Sequence, residues 1–271
     1  MEIILGTLVV SLILSLLLGF LLGYFKKVFH VSVDPTEANV RAALPGVNCG
    51  ACGYPGCDGL ASAIARGEAP VNACTVGGPA TAKAVGAVMG VSGSAETQVA
   101  VLLCQGTNEL SPVKAEYNGI KTCRAVKLSI NGNKLCDWAC IGMGDCEVVC
   151  PFDAIHVLAD GLPHVDYRKC TGCGLCVKEC PQFVLTTVPV ARKGALALCS
   201  NRNPKKAQVL KDCKTGCIKC LKCEKVCPEH CLRVIDGIPV IDYALCTSCG
   251  ECVTNCPTGV LSLIEKKVAP V

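Results

Sequence analysis

The sequence predicts an α+β protein in which one membrane-spanning helix precedes a series of small cysteine-rich domains. Three observations carry this prediction. Residues 3–25 form an almost unbroken apolar run without a charge. Twenty of the 25 cysteines fall into five sets of four. The last part of the chain contains an internal repeat whose period is near 77 residues.

The apolar run predicts the first element, a membrane helix. At 1.5 Å per residue it is roughly 34 Å long, and the hydrocarbon core of a bilayer is about 30 Å thick. Lys26 and Lys27 follow at once, and Glu2 precedes the run where a signal peptide would carry basic residues. We therefore expect residues 1–27 to be an uncleaved single-pass anchor in the inner (cytoplasmic) membrane. The positive-inside rule places the soluble domains on the cytoplasmic side.

The high cysteine content has two possible explanations, metal binding and a disulfide scaffold. Cysteine makes up about 9% of the chain, far above its usual share, and either use could explain that density. The odd total of 25 argues against complete disulfide pairing. The formal charge of +4 does not predict nucleic-acid binding, because a four-iron cluster with four thiolates adds about −2. Five such sites would lower the charge from +4 to about −6.

The spacing of four cysteine sets predicts iron–sulfur clusters, because soft thiolates at these intervals hold [4Fe–4S] cores. Three sets follow the pattern C-x2-C-x2-C-x3-C-P: Cys170, Cys173, Cys176 and Cys180; Cys217, Cys220, Cys223 and Cys227; Cys246, Cys249, Cys252 and Cys256. A fourth set is stretched, with x3 and x5 between its first ligands: Cys136, Cys140, Cys146 and Cys150. Zinc is the alternative metal, although zinc sites usually separate two C-x2-C pairs by a longer loop.

The fifth set lies upstream and predicts a separate [4Fe–4S] domain over residues 32–95. Its members are Cys49, Cys52, Cys57 and Cys74. Three glycines among them indicate a tight ligand loop, and zinc or a purely structural role is the alternative. We expect a helix over 80–91, then a connecting segment over 96–126 that includes a short strand near 97–103.

The internal repeat predicts two similar domains in tandem, at 127–190 and 208–271, with a basic linker over 191–207. Residues 150–170 match residues 227–246, and both copies contain a short strand, an Asp-Gly turn and a second strand. This layout resembles a bacterial two-cluster ferredoxin, in which the fourth cysteine of each run ligates the other cluster. The resemblance implies four ligand groups: Cys136, Cys140, Cys146 and Cys180; Cys170, Cys173, Cys176 and Cys150; Cys217, Cys220, Cys223 and Cys256; Cys246, Cys249, Cys252 and Cys227.

Five cysteines remain outside these groups: Cys104, Cys123, Cys199, Cys213 and Cys231. They are expected to be buried free thiols, which pack as small hydrophobic side chains. Cys231 occupies the position of Ala154 in the other repeat, which supports that role. A sixth cluster held by Cys104, Cys123, Cys199 and Cys213 is the alternative, and their spacing has no signature.

Residues 192–225 contain ten lysines and arginines but only Asp212 and Glu224 as acids. The segment is either a solvated linker that offsets cluster charge or a docking face for an acidic electron carrier. No dinucleotide or phosphate-binding motif is present, and no catalytic residue is predicted.

The order of anchor, Cys49–Cys74 block and ferredoxin repeats closely resembles the B-type subunit of the Rnf complex, the ion-translocating ferredoxin:NAD+ oxidoreductase. The block NCGACGYPGCDGLASAIARGEAPVNACTVGG is the most specific part of the resemblance. The resemblance implies an electron-transfer subunit with five [4Fe–4S] clusters that accepts electrons from reduced soluble ferredoxin. Its partners would be other membrane and peripheral subunits, which carry the flavin and NAD sites. The alternatives are an electron-transfer subunit of another membrane oxidoreductase and a zinc-stabilised interaction scaffold.

Overall fold

The computed structural model describes residues 2–29 and 34–265. Its helices are α1 Glu2–Val28, α2 Pro35–Ala43, α3 Gly56–Ala65, α4 Gly78–Met89, α5 Cys123–Ile130, α6 Asp145–Val148, α7 Leu175–Glu179, α8 Lys206–Asp212, α9 Lys222–Lys225 and α10 Glu251–Thr254. Its strands are β1 Gln98–Leu102, β2 Ile155–Val157, β3 Pro163–Val165, β4 Leu185–Pro189, β5 Ala195–Ala197, β6 Leu232–Ile235, β7 Ile238–Ile241 and β8 Leu261–Leu263. The predicted domain limits at residues 1, 32 and 271 lie outside the described residues.

Helix α1 has the length and composition of a membrane span. Its large apolar side chains from Ile4 to Phe29 are exposed along the whole helix, and none of the span is buried against the rest of the protein. The serine and threonine hydroxyls of the helix donate to backbone carbonyls one turn earlier, so these polar groups are satisfied within the helix. Lys26 and Lys27 lie in its last turn. These features fit the predicted membrane anchor.

Helices α2, α3 and α4 form a small helical unit after the anchor. Helix α2 begins where the Asp34 side chain accepts a hydrogen bond from the Thr36 backbone nitrogen, with proline at the first helical position. Its fully buried Val40 belongs to the same apolar core as Ile64 of α3 and Val85 of α4. Helix α4 matches the helix expected over 80–91. This core also includes buried cysteines, so the helices surround the predicted N-terminal ligand loop.

The remaining chain forms four two-stranded antiparallel sheets. Strand β2 pairs with β3, and β6 pairs with β7, as the two copies of the repeat predict. The other two sheets join distant strands, since β1 pairs with β4 and β5 pairs with β8. We call residues 98–189 the first sheet unit and residues 195–263 the second sheet unit. The pairings show that β1, from the expected connecting segment, and β5, from the expected basic linker, close these units.

An apolar core joins the two sheet units. It contains Val99 and Val101 of β1, Val188 of β4, Leu196 of β5, and the flanking Leu198 and Ile264, all of them buried. Short strands whose inner and outer faces are both covered have a reason to be apolar on both faces. The two units therefore pack as neighbours and hold their cysteine loops at fixed positions relative to each other.

Candidate iron–sulfur cluster sites

Three cavities of nearly equal size lie in the sheet units, and each is surrounded by cysteines. Together with the space at their mouths that is open to solvent, they measure about 360, 320 and 350 Å³. Their cysteine linings are Cys227, Cys231, Cys246, Cys249 and Cys252 in the first; Cys123, Cys140, Cys146 and Cys180 in the second; Cys150, Cys170, Cys173 and Cys176 in the third. Similar volumes with similar thiol linings indicate the same kind of occupant in all three.

The ligand loops owe their shape to a left-handed residue before each short helix. Gly174 immediately precedes α7 with φ 76°, and Gly250 immediately precedes α10 with φ 80°. Glycine adopts this conformation without steric cost. Gly172 has a further constraint, because a Cβ there would meet the carbonyl oxygen of Gln98 in β1. The loop can therefore pack directly on the strand that closes the first sheet unit.

Backbone amides in β1 and immediately before β8 donate hydrogen bonds to cysteine sulfurs. The Ala100 nitrogen donates to the sulfur of Cys170 at 3.4 Å, and the Val260 nitrogen donates to the sulfur of Cys256 at 3.3 Å. Such N–H···S bonds favour the thiolate over the thiol and tune the potential of a bound cluster. The long-range strand pairs thus contribute directly to the sites.

Burial disfavours the thiolate form of these cysteines unless a positive charge lies between them. It raises the pKa of Cys146 to about 12, and the neighbouring thiols of Cys123, Cys176 and Cys180 add to the rise. It also raises the pKa of Cys176 to about 12, with Cys170, Cys173 and Cys150 contributing. Four close thiolates are stable in such a place only with a positively charged core between them.

Two buried hydroxyl groups test whether a sulfur-rich cluster fits. The Thr171 and Ser248 side chains line two of the cavities, and within the described residues their buried oxygens have no hydrogen-bond partner. The cavities therefore fit a four-iron cluster, whose sulfurs would accept from both hydroxyls.

Replacing Ser248 with alanine is expected to lower the reduction potential of the cluster beside it. A hydroxyl donor stabilises the reduced cluster more than the oxidised one, because the reduced cluster carries more negative charge. The expected shift is on the order of 20–40 mV, which corresponds to about 0.5–1 kcal/mol for one electron. Potentiometric titration followed by electron paramagnetic resonance would measure it. Ser262→Ala is the control, and equal potentials in wild type and Ser248→Ala would contradict the assignment.

The N-terminal cysteines also come together. Burial raises the pKa of Cys74, and the thiols of Cys52, Cys57 and Cys49 raise it further. The Asn48 side chain fixes the loop by accepting from the Cys57 backbone nitrogen at 2.8 Å. The structure therefore places Cys74 near Cys49, Cys52 and Cys57.

A fifth group lies in the second sheet unit. Burial raises the pKa of Cys223 to about 11, and the thiols of Cys217, Cys220 and Cys256 contribute. The cysteine before Pro257 thus reaches across to the first run, while Cys227 lines the cavity of the other run. This exchange is the one predicted for a two-cluster ferredoxin.

The stretched run is arranged differently from the predicted grouping. Cys123, rather than Cys136, lines the cavity with Cys140, Cys146 and Cys180. Cys123 begins α5, where its backbone nitrogen donates to the Asp145 carboxylate at 2.9 Å. The x3 and x5 intervals were the available signal, since they show that Cys136 does not follow the regular loop geometry.

Cys136 lies instead in a separate buried cluster with Cys213, next to Cys104. Its sulfur accepts a hydrogen bond from the Asn201 side chain at 3.3 Å. Cys231 lines the cavity of the last run, and its sulfur is 3.4 Å from that of Cys227. Cys104 and Cys213 therefore lie beside Cys136, and Cys231 lies beside Cys227.

The helical unit contacts the first sheet unit beside their two cysteine sites. The Lys178 ammonium donates to the Ala51 carbonyl at 2.8 Å. Burial raises the pKa of Cys173, and the thiol of Cys49 contributes along with those of Cys150 and Cys170. The N-terminal site and the Cys150 site are therefore neighbours.

Comparison with known proteins supports iron–sulfur binding. A family described as "Putative Fe-S cluster" matches residues 44–76. Three families described as "4Fe-4S binding domain" match residues 163–186, 214–230 and 238–261. Together with the apolar N-terminal helix and the thiol-lined cavities, these matches define an iron–sulfur electron-transfer protein with several ferredoxin-type domains.

Curated relatives then identify the family. The chain is 45% identical over 87% of its length to the B-type subunit of the Na(+)-translocating ferredoxin:NAD(+) oxidoreductase complex of Acetobacterium woodii, covering 71% of that protein. It is 36% identical over 88% of its length to the B-type subunit of the ion-translocating oxidoreductase complex of Methanosarcina acetivorans, covering 89%. It is 38% identical over 97% of its length to the equivalent subunit of the proton-translocating ferredoxin:NAD(+) oxidoreductase complex of Clostridium ljungdahlii, covering 94%. The chain belongs to the family of B-type subunits of ion-translocating oxidoreductase (Rnf) complexes, which confirms the predicted resemblance.

Proposed function

We propose that this chain is the electron-input relay of a ferredoxin:NAD+ oxidoreductase complex that translocates Na+ or H+. It would accept single electrons from reduced ferredoxin and pass them to partner subunits that bind flavin and NAD. The observation that carries the proposal is the series of neighbouring four-thiol groups from the second sheet unit to the helical unit. Such a series suits electron transfer, and the sequence predicts no catalytic residue in this chain.

The two sheet units each have the features of a two-cluster ferredoxin, which supports that finer assignment. Each contains a repeat hairpin, a long-range strand pair and two cysteine runs that exchange their last ligand. Strand pairing favours limits of 98–189 and 195–263, with residues 103–135 as an insertion in the first. The insertion contributes α5, which carries Cys123.

The cysteine groups described above would hold five clusters. Their proposed ligands are Cys49, Cys52, Cys57 and Cys74; Cys123, Cys140, Cys146 and Cys180; Cys150, Cys170, Cys173 and Cys176; Cys217, Cys220, Cys223 and Cys256; Cys227, Cys246, Cys249 and Cys252. When bound, each cluster supplies a one-electron redox centre. The protein provides the thiolates, the N–H and O–H donors to sulfur, and the apolar cover that limits access of water.

The exposure of the ligands suggests the direction of the relay. Cys249 in the second sheet unit is exposed, which gives a soluble donor access to that site. The N-terminal site lies at the other end of the series, in the helical unit that follows the membrane anchor. Electrons would therefore enter at the second sheet unit and leave beside the membrane. Lys26 and Lys27 favour a cytoplasmic position for all of these sites.

Rapid mixing of the anaerobically purified chain with reduced ferredoxin tests the proposed function. Loss of the cluster absorbance near 400 nm within milliseconds to seconds is expected. The control is oxidised ferredoxin, which should leave the absorbance unchanged. A chain that dithionite bleaches but reduced ferredoxin does not would contradict electron input from ferredoxin.

The basic segment gives a sharper prediction about docking. Lys206 and Lys211 are exposed on α8, just before the first cysteine run of the second sheet unit. Replacing both with glutamate is expected to slow the bimolecular reaction with ferredoxin about tenfold at low salt, because steering of an acidic partner is lost. The control replaces Lys83 and Lys121, which are exposed elsewhere, and changes the net charge equally. An unchanged rate and salt dependence in the α8 variant would mean that the segment is only a solvated linker.

A further inference from the structure

The same short turn follows each of the four Cys-Pro sequences in the sheet units. The residue two places after the proline has a positive φ in every copy: 49° at Asp153, 54° at Phe183, 49° at His230 and 63° at Gly259. This left-handed residue reverses the chain, so that the next residue returns toward the cysteine before the proline. We call that next residue the return position. It is occupied by Ala154, Val184, Cys231 and Val260.

The return position faces the cysteine-lined cavities. Ala154, Val184 and Cys231 each line one of the three cavities described above. Val260, in the fourth copy, is buried, and its backbone nitrogen donates to the sulfur of Cys256 at 3.3 Å. In three copies the return position therefore presents an alanine or valine side chain beside the ligands. In the remaining copy it presents a thiol.

The thiol of Cys231 lies against a proposed cluster ligand. Its sulfur is 3.4 Å from that of Cys227, and both side chains are buried. The same cavity is lined by Cys246, Cys249 and Cys252. Five cysteines thus surround a site at which a [4Fe–4S] cluster takes four ligands. The described structure therefore has one more sulfur at this site than the cluster requires.

The first sheet unit provides a matched site without the extra sulfur. The backbone nitrogen of Asp242 donates to the carbonyl of Cys231 at 2.7 Å, and that of Asp166 donates to the carbonyl of Ala154 at 2.8 Å. A strand begins at the next residue in both units. The two return positions therefore have the same backbone support, and they differ in whether they carry a thiol.

We infer that Cys231 is a reserve ligand for the cluster of the Cys246 run and can replace Cys227 on the same iron. The inference deepens the proposed function, because it concerns one of the five proposed clusters. In the exchange, the bond from iron to the Cys227 sulfur breaks and a bond to the Cys231 sulfur forms. The proton of the Cys231 thiol passes to Cys227, and no electron is transferred.

Side-chain rotation is sufficient for this exchange. Rotation of a cysteine between two staggered χ1 rotamers moves its sulfur by about 3 Å. That displacement is comparable to the 3.4 Å between the two sulfurs. The backbone around Cys231 can therefore keep its hydrogen bond to Asp242 while the ligand changes.

The reserve ligand lies at the site that solvent reaches most readily. All 25 cysteines are within the described residues, and Cys249 is the exposed one among them. Water and oxidants that attack iron–sulfur bonds therefore have their easiest access to this cluster. A second thiol beside Cys227 keeps the cluster attached when the bond to Cys227 is lost.

Iron and acid-labile sulfide per chain test the reserve ligand, measured on the full chain purified anaerobically without added thiols. Cys227→Ala is expected to keep the wild-type iron content, with one altered cluster signal in electron paramagnetic resonance. Cys227→Ala combined with Cys231→Ala should lose about four irons. Loss of one or more irons from Cys227→Ala alone would overturn the inference. Wild-type iron in the double variant would also overturn it, because some other ligand would then hold the cluster.

The first sheet unit supplies the reciprocal test. Cys150→Ala should lose about four irons, because Ala154 offers no replacement ligand. Adding Ala154→Cys to that variant should restore the wild-type iron content. This pair decides the matter if Cys227→Ala does not fold, and about four missing irons in the Ala154→Cys variant would then reject the inference. Failure of both variants to fold would reject it as well, since a retained cluster should preserve each unit.

Reaction with reduced ferredoxin separates this inference from the proposed function. A wild-type chain that ferredoxin bleaches, with a Cys227→Ala variant that has lost iron, would reject the reserve ligand and retain the proposed function. A wild-type chain that does not respond to ferredoxin, with a Cys227→Ala variant that keeps its iron, would reject the proposed function and retain the reserve ligand.

Discussion

Cys123→Ala is expected to remove about four irons and four sulfides from the chain. Cys123 lines the same cavity as Cys140, Cys146 and Cys180, and its position at the start of α5 is fixed by the Asp145 carboxylate. Three remaining thiolates hold a four-iron cluster poorly, because one iron becomes open to water and exchange. The loss also removes a cross-link between α5 and both halves of the first sheet unit, so the unfolding temperature should fall with the iron content.

Cys231→Ala is the matched control for this experiment, since it also removes a buried cysteine beside a cluster cavity. It should keep the wild-type iron content. Cys123→Ala with unchanged iron content would support the ligand group expected from spacing, with Cys136 in the first sheet unit.

Removal of residues 2–28 is expected to convert the protein from a membrane-bound to a freely soluble form with its clusters intact. Helix α1 presents mainly apolar side chains, and the described residues show no part of its span buried. Each leucine, isoleucine, valine or phenylalanine contributes about 0.3–0.6 kcal/mol to membrane insertion. A helix with so many of them therefore binds the membrane strongly, and the soluble units lose no packing when it is removed.

Fractionation of cells that express the chain without its partner subunits would measure this change. Nearly all of the wild type should sediment with membranes, and nearly all of the truncated chain should remain in the supernatant with the same iron content. An unrelated apolar helix of equal length should restore sedimentation. A truncated chain that stays with the membranes, or that loses its iron, would contradict a simple anchor.

The regular cysteine runs predict their ligand groups from spacing alone. Three ligands at x2 spacing must lie around one loop, and the cysteine before the proline must turn away toward another cluster. The cavities of the Cys170 and Cys246 runs include Cys150 and Cys227 as that rule requires. Local spacing carries this information because each loop is too short to adopt many other arrangements.

The stretched run required contacts that spacing does not encode. Cys123 reaches its site because Asp145 accepts from the start of α5, and neither residue has a sequence signature for that role. Cys104, Cys136 and Cys213 come from separate segments that meet only when the two sheet units pack together. Long-range pairing of β1 with β4 and of β5 with β8 has the same character. The short strand near 97–103 was predictable from its apolar residues, but its partner was not.

The sequence predicts the exposed lysines of the basic segment but not the buried Lys134. The basic segment was visible as a run of charges, and its exposed lysines on α8 agree with a solvated or docking surface. Lys134 carried no such signal, because an isolated lysine in sequence is usually exposed. Its burial, with the ammonium donating to the Gly106 carbonyl at 2.7 Å, follows from tertiary packing.

The most direct test of the relay is an anaerobic titration of the full chain with reduced ferredoxin, in which the electrons taken up per chain are counted. Electron paramagnetic resonance would identify the reduced clusters, and iron content would be determined on the same sample. About five electrons per chain are expected, one for each proposed four-iron cluster, with signals from several interacting centres. A chain that takes up no electrons from ferredoxin, or one that contains zinc instead of iron, would contradict the proposed relay.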